Sequence, residues 1–298
     1  MLRFGIDLGG TKTELIALDS AGETLLRERK PTPAGDYEAI LDTICQLILE
    51  AERSLGRQGS IGIATPGAIS PRTGLTKNSN TTVLNGTRLD RDLTRRLGRE
   101  IRIENDANCF ALSEAIDGAG AQGRVVFGVI LGTGVGGGVI VDGRIVRGHN
   151  SIAGEWGHNP LPWARPGERP GPACYCGRHG CLETYLSGPG MSRDFQERAG
   201  LWKSPETIVA CARGGDPHAT ASLTAYVDRL ARGLATVINV LDPDMVVLGG
   251  GLSNIAELYR DVPRLLSTYA FSDGVDTPIV PARHGDSSGV RGAAWLGS

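Results

Sequence analysis

A strand, glycine turn and strand occur in the same order at two places in the sequence. The first copy is an apolar segment at 2–8, the turn Gly9-Gly10-Thr11-Lys12-Thr13 and a second segment at 14–18. About 125 residues later, the apolar segment 125–131 leads into a glycine-rich run that ends in another strand-like segment. A pattern that returns in this way indicates duplication. The sequence therefore predicts an α/β fold with two duplicated domains around a cleft.

The predicted domains are residues 1–117 and 118–286, and a last helix at 287–298 is expected to pack on the first domain. A chain of 298 residues suits two domains, and 40% hydrophobic residues provide a core for each. Between the two copies of the pattern, apolar residues at 37–51 recur at helical spacing after Asp36, a good N-cap.

The charges nearly cancel, with 31 basic and 33 acidic residues, so no basic patch indicates nucleic acid or a membrane surface as a partner. Asp7 interrupts the first apolar segment, which excludes a signal peptide there and predicts a cytoplasmic protein. The longest uncharged run, 125–141, is shorter than the roughly 20 residues of a membrane helix. Its six glycines favour a hairpin.

Three of the six cysteines, Cys174, Cys176 and Cys181, lie close together in the sequence. With His158 or His179 as a fourth ligand, they would form a Cys3His zinc site. Zinc would stabilise the loop 154–183, which is rich in Pro and Gly, and would hold Glu155 and Glu183 on either side of the metal. A disulfide or inert buried thiols are the alternatives, although nothing else in the sequence indicates an oxidising compartment.

Three glycine turns each follow an apolar strand. Backbone amides reach a phosphate only where no side chain intervenes, so three such turns favour a nucleotide site. The first two turns are expected at the phosphates and the third at the base and ribose. The expected nucleotide-binding residues are Asp7, Gly9, Gly10, Thr11, Lys12, Thr13, Gly132, Thr133, Gly134, Gly136, Gly137, Gly249, Gly250 and Gly251.

Two better-known glycine motifs are excluded by their surroundings. Gly132, Gly134 and Gly137 match the dinucleotide-binding fingerprint, but a strand follows them where that motif requires a helix. The same glycines match the glycine loop of protein kinases, which does lie between strands, but the other motifs of protein kinases are missing.

Asp106 lies between the strand-like segment 101–103 and a predicted helix. Open sheets bind ligands at the carboxyl ends of their strands, and a helix amino end favours an anion, so this position suits a catalytic carboxylate. An N-cap role is the alternative for Asp106. Asn80, in the polar loop 77–81, could lie on the surface or line a polar pocket.

These segments together resemble the sugar kinases of the ROK family (repressor, open reading frame, kinase), most closely its bacterial fructokinase branch. The resemblance covers nearly the whole chain, through the segments 7–14, 104–108, 154–163, 248–251 and 284–295. It implies an actin-like ATPase (ribonuclease H-like) fold, a homodimer, a catalytic aspartate at Asp106, and His158 as the fourth zinc ligand. The sugar contacts implied by the resemblance are Asn105, Glu155, His158 and Glu183. With Asn80 from the polar loop and the catalytic aspartate, the expected sugar-binding residues are Asn80, Asn105, Asp106, Glu155, His158 and Glu183.

The resemblance implies transfer of phosphate from ATP to a sugar. Amides of the first two glycine turns and Mg²⁺ would hold the triphosphate, Asp106 would take the proton of the sugar hydroxyl, and domain closure would exclude water. Asp7 is the expected carboxylate near magnesium, through water, and capping of the first glycine turn is its alternative.

A site lined by carboxylates and amides suits a neutral polyhydroxylated ligand. The fructokinase resemblance favours D-fructose, phosphorylated at its 6-hydroxyl, with glucose, mannose or an N-acetylhexosamine as alternatives. A sugar-sensing regulator without catalysis is a further alternative. A repressor would need a DNA-binding helix pair before the first glycine turn, and only six residues precede Asp7.

Overall fold

The computed structural model describes residues 1–297, whose contacts cluster into two compact units. The first unit comprises 1–121, 138–153 and the segment that begins at Arg283, and the second comprises 122–137 and 154–282. The predicted division differs, because it places 118–121, 283–286 and, above all, 138–153 in the second domain. The physical reason is close packing at Gly138, where a Cβ would lie 2.7 Å from the carbonyl oxygen of Ala107. Ser298, the end of the predicted last helix, lies outside the described residues.

The first unit contains a mixed five-stranded sheet and a short two-stranded one. Their strands are β1 (Arg3–Leu8), β2 (Lys12–Leu18), β3 (Thr24–Pro31), β4 (Ser60–Thr65), β5 (Ala68–Ile69), β6 (Thr76–Lys77) and β7 (Arg102–Asn105). The large sheet has the order β3-β2-β1-β4-β7, in which β1, β4 and β7 are parallel. Asp7 pairs with Ala64, and Thr65 with Asn105. Asp7 and Asn105 therefore lie at the same edge of the sheet.

Helices cover the faces of this sheet: α1 (Tyr37–Leu55), α2 (Leu89–Leu97), α3 (Asp106–Ile116) and α9 (Ser288–Trp295). Val290 and Ala294 of α9 pack against Ile16 and Leu18 of β2. Gly5 permits this approach, since a Cβ there would lie 2.1 Å from the carbonyl oxygen of Val290.

The buried carboxylate of Glu114, on α3, holds the segment that leads into α9. It accepts hydrogen bonds from the amides of Arg283 (2.9 Å) and His284 (3.0 Å) and from the hydroxyl of Ser288 (2.8 Å). A buried carboxylate needs such donors, so this side chain ties the late segment to the first unit.

A second five-stranded sheet is formed by β8 (Val125–Leu131), β9 (Val135–Val141), β10 (Arg144–Ile145), β11 (Met245–Gly249) and β12 (Ile279–Pro281), in the order β10-β9-β8-β11-β12. The uncharged run 125–141 is thus a hairpin, as predicted. Among residues 1–297, every helix is too short or too polar to span a membrane.

The helices of the second unit are α4 (Glu183–Leu186), α5 (Gly188–Ala199), α6 (Pro205–Arg213), α7 (Pro217–Leu241) and α8 (Ala256–Tyr269). The central helix α7 begins after Asp216, whose side chain accepts the amide of Ala219, and ends at Asp242 in the left-handed conformation. It packs against α5, α6 and α8.

Candidate functional site

The first glycine turn joins β1 to β2 and is fixed by main-chain and threonine contacts. The amide of Gly9 donates to the carbonyl of Lys12 at 3.0 Å, and a Cβ on Gly9 would lie 2.9 Å from that oxygen. Gly10, Thr11 and Lys12 are exposed. The side chain of Thr13 is buried against Thr32 and faces the interior. Residues 10–12 therefore form the exposed part of the turn.

Asp7 lies at the end of β1, opposite Glu14 on β2. Burial, followed by the charges of Asp106 and Glu14, raises the pKa of Asp7 from 3.8 to about 6. Arg27 and Arg29 both donate to the Glu14 carboxylate. A divalent cation would favour the ionised form of Asp7, and carboxylate oxygens are the ligands that magnesium prefers, so Asp7 fits the expected role.

This raised pKa predicts a pH dependence of stability. Between pH 3.8 and about 6 the folded protein binds more protons at Asp7 than the unfolded chain does. The contribution of Asp7 to the free energy of unfolding therefore falls as pH rises through this window and is constant above it. We expect Asp7→Asn to unfold with a free energy up to about 3 kcal/mol higher than wild type at pH 7 in EDTA, and nearly equal at pH 3.5. Urea titrations at both pH values measure the difference; an equal gap at the two pH values would contradict the assignment.

The segment that carries Asp106 is fixed by its neighbour. Asn105, not Asp106, is the N-cap of α3: its Oδ1 accepts the amides of Ala107 (2.9 Å) and Asn108 (3.3 Å). Asp106 is the first helical residue, and its Oδ1 accepts the amide of Ala107 at 2.8 Å. The N-cap alternative for Asp106 is therefore wrong, and the carboxylate lies in the first turn of α3, where the helix dipole favours its charge.

Gly67 brings the loop that carries Asn80 close to Asn105. Nδ2 of Asn105 donates to the carbonyl of Gly67 at 3.1 Å, and a Cβ on Gly67 would lie 2.2 Å from the carbonyl oxygen of Lys77. Asn80 itself is exposed.

Glu104 is a residue of this region whose role the sequence did not indicate. Its buried carboxylate accepts the amide of Asn105 (3.0 Å) and Nδ2 of Asn108 (3.0 Å), and it forms an ion pair with Arg147. These contacts fix the backbone immediately before Asp106. A single glutamate at the end of a strand carries no sequence signal of burial.

In the second unit, His158, Cys174, Cys176 and Cys181 form a cluster whose ligand atoms all lie within 4.8 Å of one another. The Sγ atoms of Cys176 and Cys181 are 3.6 Å apart, and Nδ1 of His158 is 3.6 Å from Sγ of Cys174. Tetrahedral zinc with bonds of about 2.0–2.3 Å has ligand separations of about 3.5–3.8 Å, so the residues fit this metal. The sulfur separation is far beyond the roughly 2.05 Å of a disulfide.

The turn at 174–181 brings the thiols together. The amide of Cys174 donates to the carbonyl of Arg178 (2.8 Å), and Gly177 and Gly180 adopt positive φ angles of 86° and 70°. The cluster includes His158 and not His179, whose side chain is exposed. Nε2 of His158 lies 3.0 Å from the hydroxyl of Tyr175, which leaves Nδ1 facing the sulfurs.

Glu168 anchors the loop between His158 and Cys174, and the sequence did not indicate this either. Although burial opposes it, hydrogen bonds from Arg232, the Arg165 amide and Arg229 lower the pKa of Glu168 to about 2. Arg232 is 1% exposed and also donates to the carbonyl of Trp163 at 3.1 Å. This buried network fixes the loop independently of any metal.

The second glycine turn is shorter than predicted. The amide of Gly132 donates to the carbonyl of Gly134 (3.0 Å), and Thr133 is exposed between them. Gly136 and Gly137 lie beyond the turn, within β9. A Cβ on Gly137 would lie 2.8 Å from Cδ1 of Trp156, so close packing accounts for that glycine.

The third glycine turn follows β11 and lies beside the end of β8. A Cβ on Gly250, whose φ is 82°, would lie 2.4 Å from the carbonyl oxygen of Leu131. Gly249 is buried, whereas Gly250 and Gly251 are exposed. The structure thus brings the second and third turns together.

The candidate sugar residues of the second unit surround the start of β9. Glu155 is exposed, and its carbonyl accepts the amide of His158 at 3.2 Å. Gly157 packs on the carbonyl of Val135, and Oε2 of Glu183 accepts the amide of Val135 at 3.0 Å. The Glu183 carboxylate and the segment 155–158, which carries Glu155 and His158, therefore lie beside the residue that follows the second glycine turn.

Comparison with known proteins gives consistent similarities over the whole chain. A sequence model described as ROK family matches residues 3–298. N-acetyl-D-glucosamine kinases of Shigella boydii serotype 4 (strain Sb227) and Escherichia coli O127:H6 (strain E2348/69 / EPEC) are each 41% identical to it over 297 residues, 98% of this chain and 98% of the relative.

Solved structures give the same result. A ROK hexokinase from Thermus thermophilus has a TM-score of 0.89 at 32% identity, covering 100% of this chain and 98% of that one. A ROK family glucokinase from Streptomyces griseus, in complex with glucose and AMPPNP, has a TM-score of 0.78 at 28% identity, covering 100% and 99%. The predicted actin-like ATPase fold with two α/β domains is confirmed by these similarities.

Proposed function

Because the chain belongs to the ROK family, we propose that it is an ATP-dependent kinase that phosphorylates N-acetyl-D-glucosamine at its 6-hydroxyl. The observation that carries the substrate is the 41% identity to N-acetyl-D-glucosamine kinases over 98% of both chains. Fructose, the substrate predicted from the sequence, has no comparable support and is kept as an alternative to be tested. N-acetylglucosamine is neutral and rich in hydroxyls, as expected for a site lined by carboxylates and amides.

Each proposed role matches the chemistry of the residue. Asp106 accepts the proton of the 6-hydroxyl; the bond between O6 and the γ-phosphorus forms while the bond to the bridging oxygen breaks, and ADP leaves. Amides of the turns at 9–13 and 132–134 bind the triphosphate. Magnesium bound with ATP would neutralise phosphate charge, with Asp7 as the carboxylate near it.

The residues proposed to contact the sugar are Asn80, Asn105, Glu155, His158 and Glu183. Zinc, when bound by the Cys3His cluster, would stabilise the loop that carries His158 and precedes Glu183. The supply of ATP favours the cytoplasm as the place of reaction, and the family resemblance favours a homodimer, which light scattering would test.

A coupled assay of ADP release tests the substrate. We expect kcat/KM to be highest for N-acetylglucosamine, to fall at least about tenfold for glucose, mannose and N-acetylmannosamine, and to fall further for fructose, because a site that binds particular groups rejects analogues without them. An Asp106→Asn variant purified in the same way controls for contaminating kinases.

The outcomes separate the levels of the proposal. A higher kcat/KM for glucose than for N-acetylglucosamine would contradict the proposed substrate but not the kinase assignment. A kcat/KM for fructose more than about tenfold above that for N-acetylglucosamine would support the fructokinase prediction instead. No turnover with any of these sugars would contradict the kinase assignment.

A further inference from the structure

A short segment after the last cysteine of the cluster, 183–188, is hydrogen-bonded to both ends of the second glycine turn. Oε2 of Glu183 accepts the amide of Val135 at 3.0 Å, where the turn leads into β9. The amide of Gly188 donates to the carbonyl of Gly132 at 2.8 Å, where the turn begins. Any movement of the Glu183 carboxylate therefore acts directly on the turn.

The fit between carboxylate and turn is tight at one position. A Cβ on Gly134 would lie 2.9 Å from Oε2 of Glu183, whereas a Cβ on Gly132 would meet no atom within 4 Å. A methyl group added at Gly134 would therefore collide with Glu183, whereas one added at Gly132 would not.

We propose that Glu183 couples the two substrates, because one carboxylate contacts the sugar and positions the glycine turn that binds the triphosphate. This inference rests on the proposed function, which assigns the sugar contact to Glu183 and the phosphates to the turn. A carboxylate has two oxygens: Oε2 accepts the amide of Val135, and Oε1 accepts a sugar hydroxyl.

Coupling of this kind is reciprocal. A sugar bound at Oε1 orders the carboxylate and with it the turn, so the nucleotide binds a turn that is already positioned. Thermodynamic linkage then requires that nucleotide strengthen sugar binding by the same factor. Calorimetry on wild-type protein, with N-acetylglucosamine and AMPPNP added in either order, should give one coupling factor of about fivefold or more.

The first test disturbs Glu183 from the side of the turn. In Gly134→Ala the added Cβ should displace the carboxylate, and the dissociation constant of N-acetylglucosamine, measured without nucleotide, should rise about tenfold or more, as for a lost hydrogen bond to a charged group. In the matched variant Gly132→Ala, sugar affinity without nucleotide should change by less than about twofold, since nothing lies near the added atom.

The second test disturbs the turn from the side of the sugar. Glu183→Gln should weaken AMPPNP binding, measured without sugar, by about threefold or more, because a neutral amide accepts the Val135 hydrogen bond less strongly. Glu155→Gln is the control: Glu155 is also a proposed sugar carboxylate, but within residues 1–297 its side chain makes no hydrogen bond to the turn. It should weaken sugar binding and leave AMPPNP binding unchanged.

The results distinguish this inference from the proposed function. Should the wild-type protein bind and phosphorylate none of the sugars, the proposed function and the coupling both fail. In the other case, the wild-type protein binds both sugar and AMPPNP, while the two glycine variants have equal sugar affinities and the two glutamate variants have equal AMPPNP affinities. That result would overturn the coupling alone. If Gly134→Ala does not fold, the comparison of the two glutamate variants decides.

Discussion

Asp106→Asn should lower kcat by about 10²- to 10⁴-fold, or about 3–5 kcal/mol of transition-state stabilisation, because it removes the proposed general base. Dissociation constants of sugar and of AMPPNP should change by less than about threefold, since the loss is confined to the transition state. Calorimetry for binding and a coupled assay for turnover measure both quantities on the same preparation.

The substitution is conservative at this position. Oδ1 of Asp106 accepts the amide of Ala107 at 2.8 Å, and an asparagine oxygen can accept the same bond. Asn105 remains the N-cap of α3, so the helix should begin at the same residue. Asp276→Asn, on an exposed loop, is a matched control that should retain wild-type kcat. Near wild-type turnover in Asp106→Asn would limit Asp106 to a structural role.

Cys176→Ser should reduce bound zinc from about one ion per chain to almost none, because serine replaces a thiolate ligand with a poor one. We expect the sugar KM to rise about tenfold or more while the ATP KM changes less, since His158 loses its metal anchor and Glu183 follows Cys181 directly. Elemental analysis and steady-state kinetics measure the two effects.

The position of Cys176 makes the result easy to interpret. Its side chain is exposed, so loss of packing cannot account for a large change. Cys211→Ser, outside the cluster, should retain zinc. Because Glu168 is held by Arg229 and Arg232, loss of zinc should expose 174–181 to hydrogen exchange before 160–168. Zinc-free wild-type protein with full activity would contradict the role of the metal.

Helix α1 was predicted because its apolar spacing and its end signal agree, whereas α5 was missed although Ser187 and Gly200 mark its ends. Helix α1 begins after Asp36, whose side chain accepts the amide of Ala39, as expected for the N-cap. Strand β3 and helix α8 were not predicted. The strand lies at a sheet edge and alternates exposed with half-buried side chains, many of them charged, and α8 contains Pro263, which the sequence signals as a helix breaker.

Around the site, the sequence predicted the cysteine cluster because its ligands are nearby in the chain. It could not predict Glu104 with Arg147, 43 residues apart, or Glu168 with Arg232, 64 residues apart. Charged residues are usually exposed, so only the tertiary structure shows that Glu104, Glu168 and Arg232 have buried side chains. It also shows that Arg147, itself exposed, pairs with Glu104. Nor does the sequence show what lies beside each glycine, which is open space at Gly132, a carboxylate at Gly134 and a tryptophan at Gly137.

The interleaving of the two units has a consequence for synthesis on the ribosome. The first sheet emerges early, but the helix that covers Ile16 and Leu18, α9, emerges only after the whole second unit has been translated. At about 5–20 residues per second, that apolar face waits for on the order of tens of seconds. All segments of the second unit precede α9 and are translated before that helix. The part of the protein that is translated first is therefore the last to obtain all of its segments.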